Sequence, residues 1–189
     1  NNKPFKFGFI ENIFETAFYN KLYESYPSLD TFKDGSDLSK SQLLRRWGNT
    51  PPKKYVDPGN DSNMSEEWNK LKRYAESNEF IENFRKFSGT RVNKLQQFHF
   101  IGYTQGGFQL PHIHNVGPNT LVLMFYFSKG WKKGQAGGTY MASEEDESKI
   151  IFEPYNLDNS LALFQDGPKA AHGTRVISEN VERRALQIT

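Results

Sequence analysis

Seven consecutive residues, Leu121 to Phe127, are apolar or aromatic. A β-strand accepts such a run only where both of its faces are covered. The rest of the chain must therefore supply a sheet around this segment and a second layer on each side of it. After Gly89 the texture is that of strands. Leu95 to Tyr103 is aromatic and alternating, and Lys149 to Phe152, Ser160 to Gln165 and Arg183 to Thr189 follow, separated by Gly, Pro and Asn turns. Before it, from Lys3 to Gly89, the apolar spacing is mostly helical. Phe14, Phe18, Leu22 and Tyr26 recur every four residues until Pro27. Ser65 reads as an N-cap, with Glu66 and Glu67 favouring the helix dipole and Trp68, Leu71 and Ala75 as the apolar stripe. A third helix starts near Asn78, carries Phe80, Phe84 and Phe87, and stops at Gly89. The pattern predicts an α+β protein with a mainly β core, a sandwich or barrel with helices packed on one sheet.

A length of 189 residues suits one domain, and 16 Phe, 9 Tyr and 3 Trp supply much of its core. The net charge of +2 is dispersed, with only short basic pairs such as Arg45-Arg46, Lys53-Lys54 and Lys132-Lys133, so no nucleic-acid partner is expected. The chain has no cysteine, hence no disulfide and no thiolate ligand or nucleophile, which suits a reducing cytoplasm. No run is long enough for a membrane-spanning helix, and Asn1-Asn2-Lys3-Pro4 has no signal-peptide core. The expectation is a cytoplasmic protein without a membrane partner; the missing initiator Met leaves a removed targeting segment open. Asp34 to Asn63 is rich in Gly, Pro, Asp, Ser and Asn, and reads either as disordered or as a lid bordering a site, with Trp47 as its anchor.

Three of the four histidines carry the chemistry. His112 and His114 lie in Pro111-His112-Ile113-His114-Asn115, and His172 in Ala171-His172-Gly173. Ligands at i and i+2 of one strand share a face. A third histidine from a distant strand closes a facial triangle and leaves the far side of a metal open, as non-haem Fe(II) oxygenases require. The second position is ordinarily a carboxylate, and here it is His114. His99, between Phe98 and Phe100, reads instead as a structural core histidine.

The order of several short motifs resembles the double-stranded β-helix, or jelly roll, of the 2-oxoglutarate- and Fe(II)-dependent dioxygenases, within them the prolyl 4-hydroxylase-like branch. They are Tyr103-Thr104-Gln105-Gly106-Gly107, the His112/His114 segment, Phe125 to Trp131, Gly137-Gly138-Thr139-Tyr140, Pro154 with Leu161 to Phe164, His172-Gly173 and Arg183-Arg184-Ala185-Leu186. The resemblance implies a single domain over 1–189, with helical support and a flexible loop in 1–90 and the jelly-roll core in 91–189. It implies iron held by His112, His114 and His172, with 2-oxoglutarate as cosubstrate, O2 as oxidant and ascorbate as a further reductant. The far carboxylate of 2-oxoglutarate needs a buried cationic partner, and the resemblance gives this role to Arg183, whose motif reads like the family's arginine. Strand alternation then puts Arg183, Ala185 and Gln187 on one face, with Arg184 taking the role if the register slips by one. Tyr126 matches a hydroxyl that assists this arginine, and Tyr103 is a second candidate for the same pocket. The implied reaction is hydroxylation of a C–H bond of a prolyl, other peptidyl or small-molecule substrate, with release of succinate and CO2. Two alternatives stay open because of His114: a catalytically silent jelly-roll binding domain, and a three-histidine dioxygenase that does not use 2-oxoglutarate.

Overall fold

The computed structural model describes residues 3–49 and 59–189. Its strands are β1 (Phe7–Glu11), β2 (Lys33–Asp34), β3 (Lys40–Ser41), β4 (Leu43–Arg46), β5 (Phe98–Tyr103), β6 (Phe108–His112), β7 (Leu121–Phe127), β8 (Tyr140–Ala142), β9 (Ile150–Phe152), β10 (Asp158–Gln165), β11 (Ala171–Thr174) and β12 (Arg183–Ile188). The α-helices are α1 (Thr16–Glu24), α2 (Glu66–Ala75) and α3 (Asn78–Ser88). A seven-stranded sheet in the order β1-β10-β7-β12-β5-β4-β2 faces a five-stranded sheet in the order β3-β6-β11-β8-β9. All paired strands are antiparallel, giving a double-stranded β-helix with helices on its larger sheet.

The apolar run becomes β7, buried at every position. Alternation divides its side chains between two cores. Leu121, Leu123, Phe125 and Phe127 join Tyr19, Leu22, Trp68 and Leu71 of the helices, whereas Val122, Met124 and Tyr126 face the inter-sheet space with Ile101, Ala162, Phe164 and Met141. Trp68 is fully buried between Phe100 and Phe127, with ring centroids 4.9 and 5.1 Å away. Burial of an aromatic this size contributes on the order of 4–6 kcal/mol at about 25 cal/mol per Å2.

The helix signals are realised closely. Ser65 caps α2 through the amide of Trp68, and Gly89 ends α3 in the left-handed region at φ 67°. Helix α1 is shorter than its apolar repeat. The side chain of Asn159 takes both the amide and the carbonyl of Phe14, which therefore leads into the helix rather than lying in it. The first ninety residues are less helical than predicted, because β1 to β4 extend both sheets. The stretch from Asp34 to Asn63 is likewise not one irregular loop: β3 and β4 lie within it, and Trp47, 2% exposed, donates from Nε1 to the Gly59 carbonyl. Its residues 50–58 lie outside the described part. Among the described residues no helix is long and apolar enough to cross a membrane.

Candidate active site

Strands β6 and β11 are neighbours in the smaller sheet, and His112 is the register partner of His172. Their imidazoles are side by side, with ring centroids 4.3 Å apart. Close approach of these strands uses Gly173, where a Cβ would lie 2.7 Å from the Gln109 carbonyl oxygen. The predicted placement of His112 and His114 on one strand needs correction. Strand β6 ends at His112, and His114 belongs to the segment that follows, where Asn115 turns the chain at φ 50°. The two imidazoles converge nonetheless, with their Nε2 atoms 3.0 Å apart.

Backbone carbonyls orient two of the rings. His112 Nδ1–H donates to Leu110 O at 3.0 Å and His172 Nδ1–H to Ala170 O at 2.8 Å. With Nδ1 carrying the proton, each Nε2 keeps its lone pair, the tautomer a metal needs. One ring nitrogen from each of His112, His114 and His172 lies within 4.8 Å of the other two. Burial, and then the neighbouring His112, hold the pKa values of His114 and His172 below the ordinary 6.5; the field of Asp166 opposes this at His114, and the Ala170 hydrogen bond opposes it at His172. Three imidazoles whose ring nitrogens converge in this way suit a divalent cation.

The other half of the cavity is built around Arg183. Its side chain is fully buried and faces inward from β12, with Gln187 on the same side. Nε donates to Gly137 O at 2.8 Å and Nη2 to Thr139 Oγ1 at 3.2 Å, both neutral oxygens, while Nη1 has no partner. Tyr103 and Tyr126 flank the guanidinium, their ring centroids 4.9 and 5.1 Å from Cζ. The Tyr126 hydroxyl accepts the Thr139 amide proton at 2.8 Å, and the buried Tyr103 hydroxyl donates to Gln42 Oε1 at 3.1 Å. Gly137, at φ 138° and with a Cβ position only 2.4 Å from the Trp131 ring, gives the turn that presents its carbonyl. A buried guanidinium without an anion is costly by several kcal/mol, so this pocket is complementary to a carboxylate. Arg184 points to the other face, where it pairs with Glu182 and lies over Tyr23.

Both halves open into one cavity of about 440 Å3. Lys40, Gln42, Leu44 and Arg46 line it, so the described part of the Asp34 to Asn63 segment does border the site. His99 also lines it, opposite Arg46 in the β4–β5 register, and is not the core residue its phenylalanine neighbours suggested. Strand parity could have found it: counting back by twos from Tyr103 reaches Ile101, His99 and Gln97 on one face. Thr139 and Asp166 had no comparable signal, since they lie outside the strands, whereas Gln109 stands on β6 itself.

No protein-family model matches the chain, and no curated protein matches it in sequence. Solved structures do match its fold. A prolyl-4-hydroxylase from Pseudomonas putida aligns with a TM-score of 0.67 at 13% identity, covering 96% of this chain and 90% of that one. A prolyl hydroxylase from Trichoplax adhaerens, in complex with a hypoxia inducible factor oxygen degradation domain peptide, aligns at 0.65 and 16% identity, covering 96% and 81%. HygX from Streptomyces hygroscopicus with nickel, 2-oxoglutarate and hygromycin B aligns at 0.62 and 10% identity, with 96% and 81% covered. The fold of this chain is that of the 2-oxoglutarate/Fe(II) oxygenases.

Proposed function

We propose that the protein is a 2-oxoglutarate- and Fe(II)-dependent dioxygenase that hydroxylates a C–H bond. The observation that carries this reading is the buried Arg183, with Nη1 unpartnered, in the same cavity as the three convergent histidines. His112, His114 and His172 would hold the iron, and Arg183 would bind the far carboxylate of 2-oxoglutarate, with Tyr103 lining that pocket and Tyr126 packed against the guanidinium. Bound Fe(II) with 2-oxoglutarate supplies O2 activation, so that substrate, O2 and 2-oxoglutarate become hydroxylated product, succinate and CO2, with ascorbate serving only as an accessory reductant.

The protein's share is binding, orientation and exclusion of water. The carbonyls of Leu110 and Ala170 fix the tautomers of His112 and His172. Phe164, 4.4 Å from the His172 ring, closes the apolar back of the site. Part of the lining is polar, with Gln96, Gln97, Gln187 and His99. Such a wall would leave amides unpaired against an apolar guest, which favours a polar substrate, peptidyl or small. The peptide in the Trichoplax adhaerens enzyme and the hygromycin B in HygX are examples of both kinds on this fold. A silent binding domain has no need of tautomer-fixed imidazoles, and a dioxygenase without 2-oxoglutarate has no use for Arg183.

Anaerobic titration with Fe(II), with and without 2-oxoglutarate, tests the assignment. We expect a weak visible charge-transfer band only when both are present. Iron uptake with no band in the presence of 2-oxoglutarate would sink the cosubstrate reading.

A further inference from the structure

The ladder of the smaller sheet fixes His112 and His172 but not His114, which lies beyond the end of β6. What holds the chain after His114 is the end of β10. Asp166 Oδ2 accepts the amide protons of Val116 at 2.5 Å and Gly117 at 3.2 Å, and the Asp166 amide donates to Thr120 O at 2.9 Å. Asp166 is 3% exposed and borders the same cavity as His114, and its second oxygen, Oδ1, has no hydrogen-bond partner. A buried carboxylate with one oxygen unsatisfied is costly unless a positive charge compensates it.

Resting on the iron reading, we propose that Asp166 is the outer-sphere counter-charge of the metal centre, supplying from beside His114 the negative charge that a histidine at the second ligand position does not. It is a positioning residue, not a ligand, since it lies outside the group of atoms close enough to share an ion. Three neutral imidazoles leave the full dipositive charge of the metal uncompensated at a centre where His172 is buried and His114 exposed. A carboxylate nearby lowers that cost, and its grip on the Val116 and Gly117 amides keeps it and the His114 segment in one arrangement.

The test is calorimetric titration of the full chain with Co(II) alone, without cosubstrate. Asp166→Asn keeps the shape and an acceptor for the loop amides and removes the charge. We expect it to weaken Co(II) binding at least tenfold. In a His114→Asp background, where the ligand itself carries the charge, the same change should cost less than threefold. Unaltered affinity in Asp166→Asn, or an equal loss in both backgrounds, overturns the proposal, the second because it marks a merely structural effect. Should Asp166→Asn fail to fold by thermal denaturation, Asp166→Ser, which retains a hydroxyl acceptor, carries the same comparison. A parent protein that takes up no Co(II) overturns the iron reading together with this one, whereas normal uptake indifferent to Asp166 removes only this one.

Discussion

Arg183 carries a fixed charge in the interior and satisfies it with two neutral oxygens. Such a residue is held at a cost to the empty protein and is useful only when an anion arrives. Arg183→Met should therefore act in opposite directions on two measurements. Thermal unfolding of the ligand-free protein should be unchanged or raised by about 1–4 kcal/mol, while 2-oxoglutarate affinity should fall at least about a hundredfold. Arg184→Ala, on the exposed side and paired with Glu182, should leave that affinity nearly intact; the reverse order would place the anion elsewhere. At His114 the expectation is a gain. His114→Asp gives the metal an anionic ligand, so Fe(II) should bind at least as tightly as in the parent protein, measured by anaerobic titration.

Among the elements, the helices were legible because their signals are local. Ser65, Glu66 and Glu67 announce α2, and Gly89 closes α3. Ser65→Ala should cost about 1 kcal/mol, or about 2–4 °C in thermal midpoint, by loss of the cap to Trp68. The strands of the first half were not legible for a physical reason. Strands β2 and β3 have two residues each, too few to show a period, and β4 reads Leu-Leu-Arg-Arg with no alternation. They are strands because β6 pairs β3, β5 pairs β4, and β4 in turn pairs β2. At the site, Arg183, Tyr126 and Tyr103 could be named from the motifs they resemble, and each stands on a regular strand. His114 and Asp166 could not, since their positions depend on contacts between segments fifty residues apart.

Over the whole molecule, the histidines that line the cavity set a pH response. Burial, and then Arg46, push the pKa of His99 down to about 4, and His114 and His172 are lowered too. In the unfolded chain each titrates near 6.5, so between that value and the folded one the unfolded state binds more protons. Stability of the metal-free protein should be greatest above pH 6.5 and decline as the pH falls towards 4, with His99 alone accounting for at most about 3 kcal/mol. Thermal midpoints measured from pH 7 to pH 4.5 should fall, and His99→Gln should flatten the decline. An identical slope in the variant would assign the response to other groups.

Strand β12 follows every other strand in sequence, yet it lies between β7 and β5 in the middle of the larger sheet. The main sheet therefore has a gap at its centre, with β7 and β5 apart, until β12 pairs with both. The cooperative step of folding must wait for this insertion, across a separation of about eighty residues to β5. That is the signature of a slow, high-contact-order folder. The same strand brings Arg183, so the anion pocket and the closed sheet come into being in a single event, and a partly made molecule has neither.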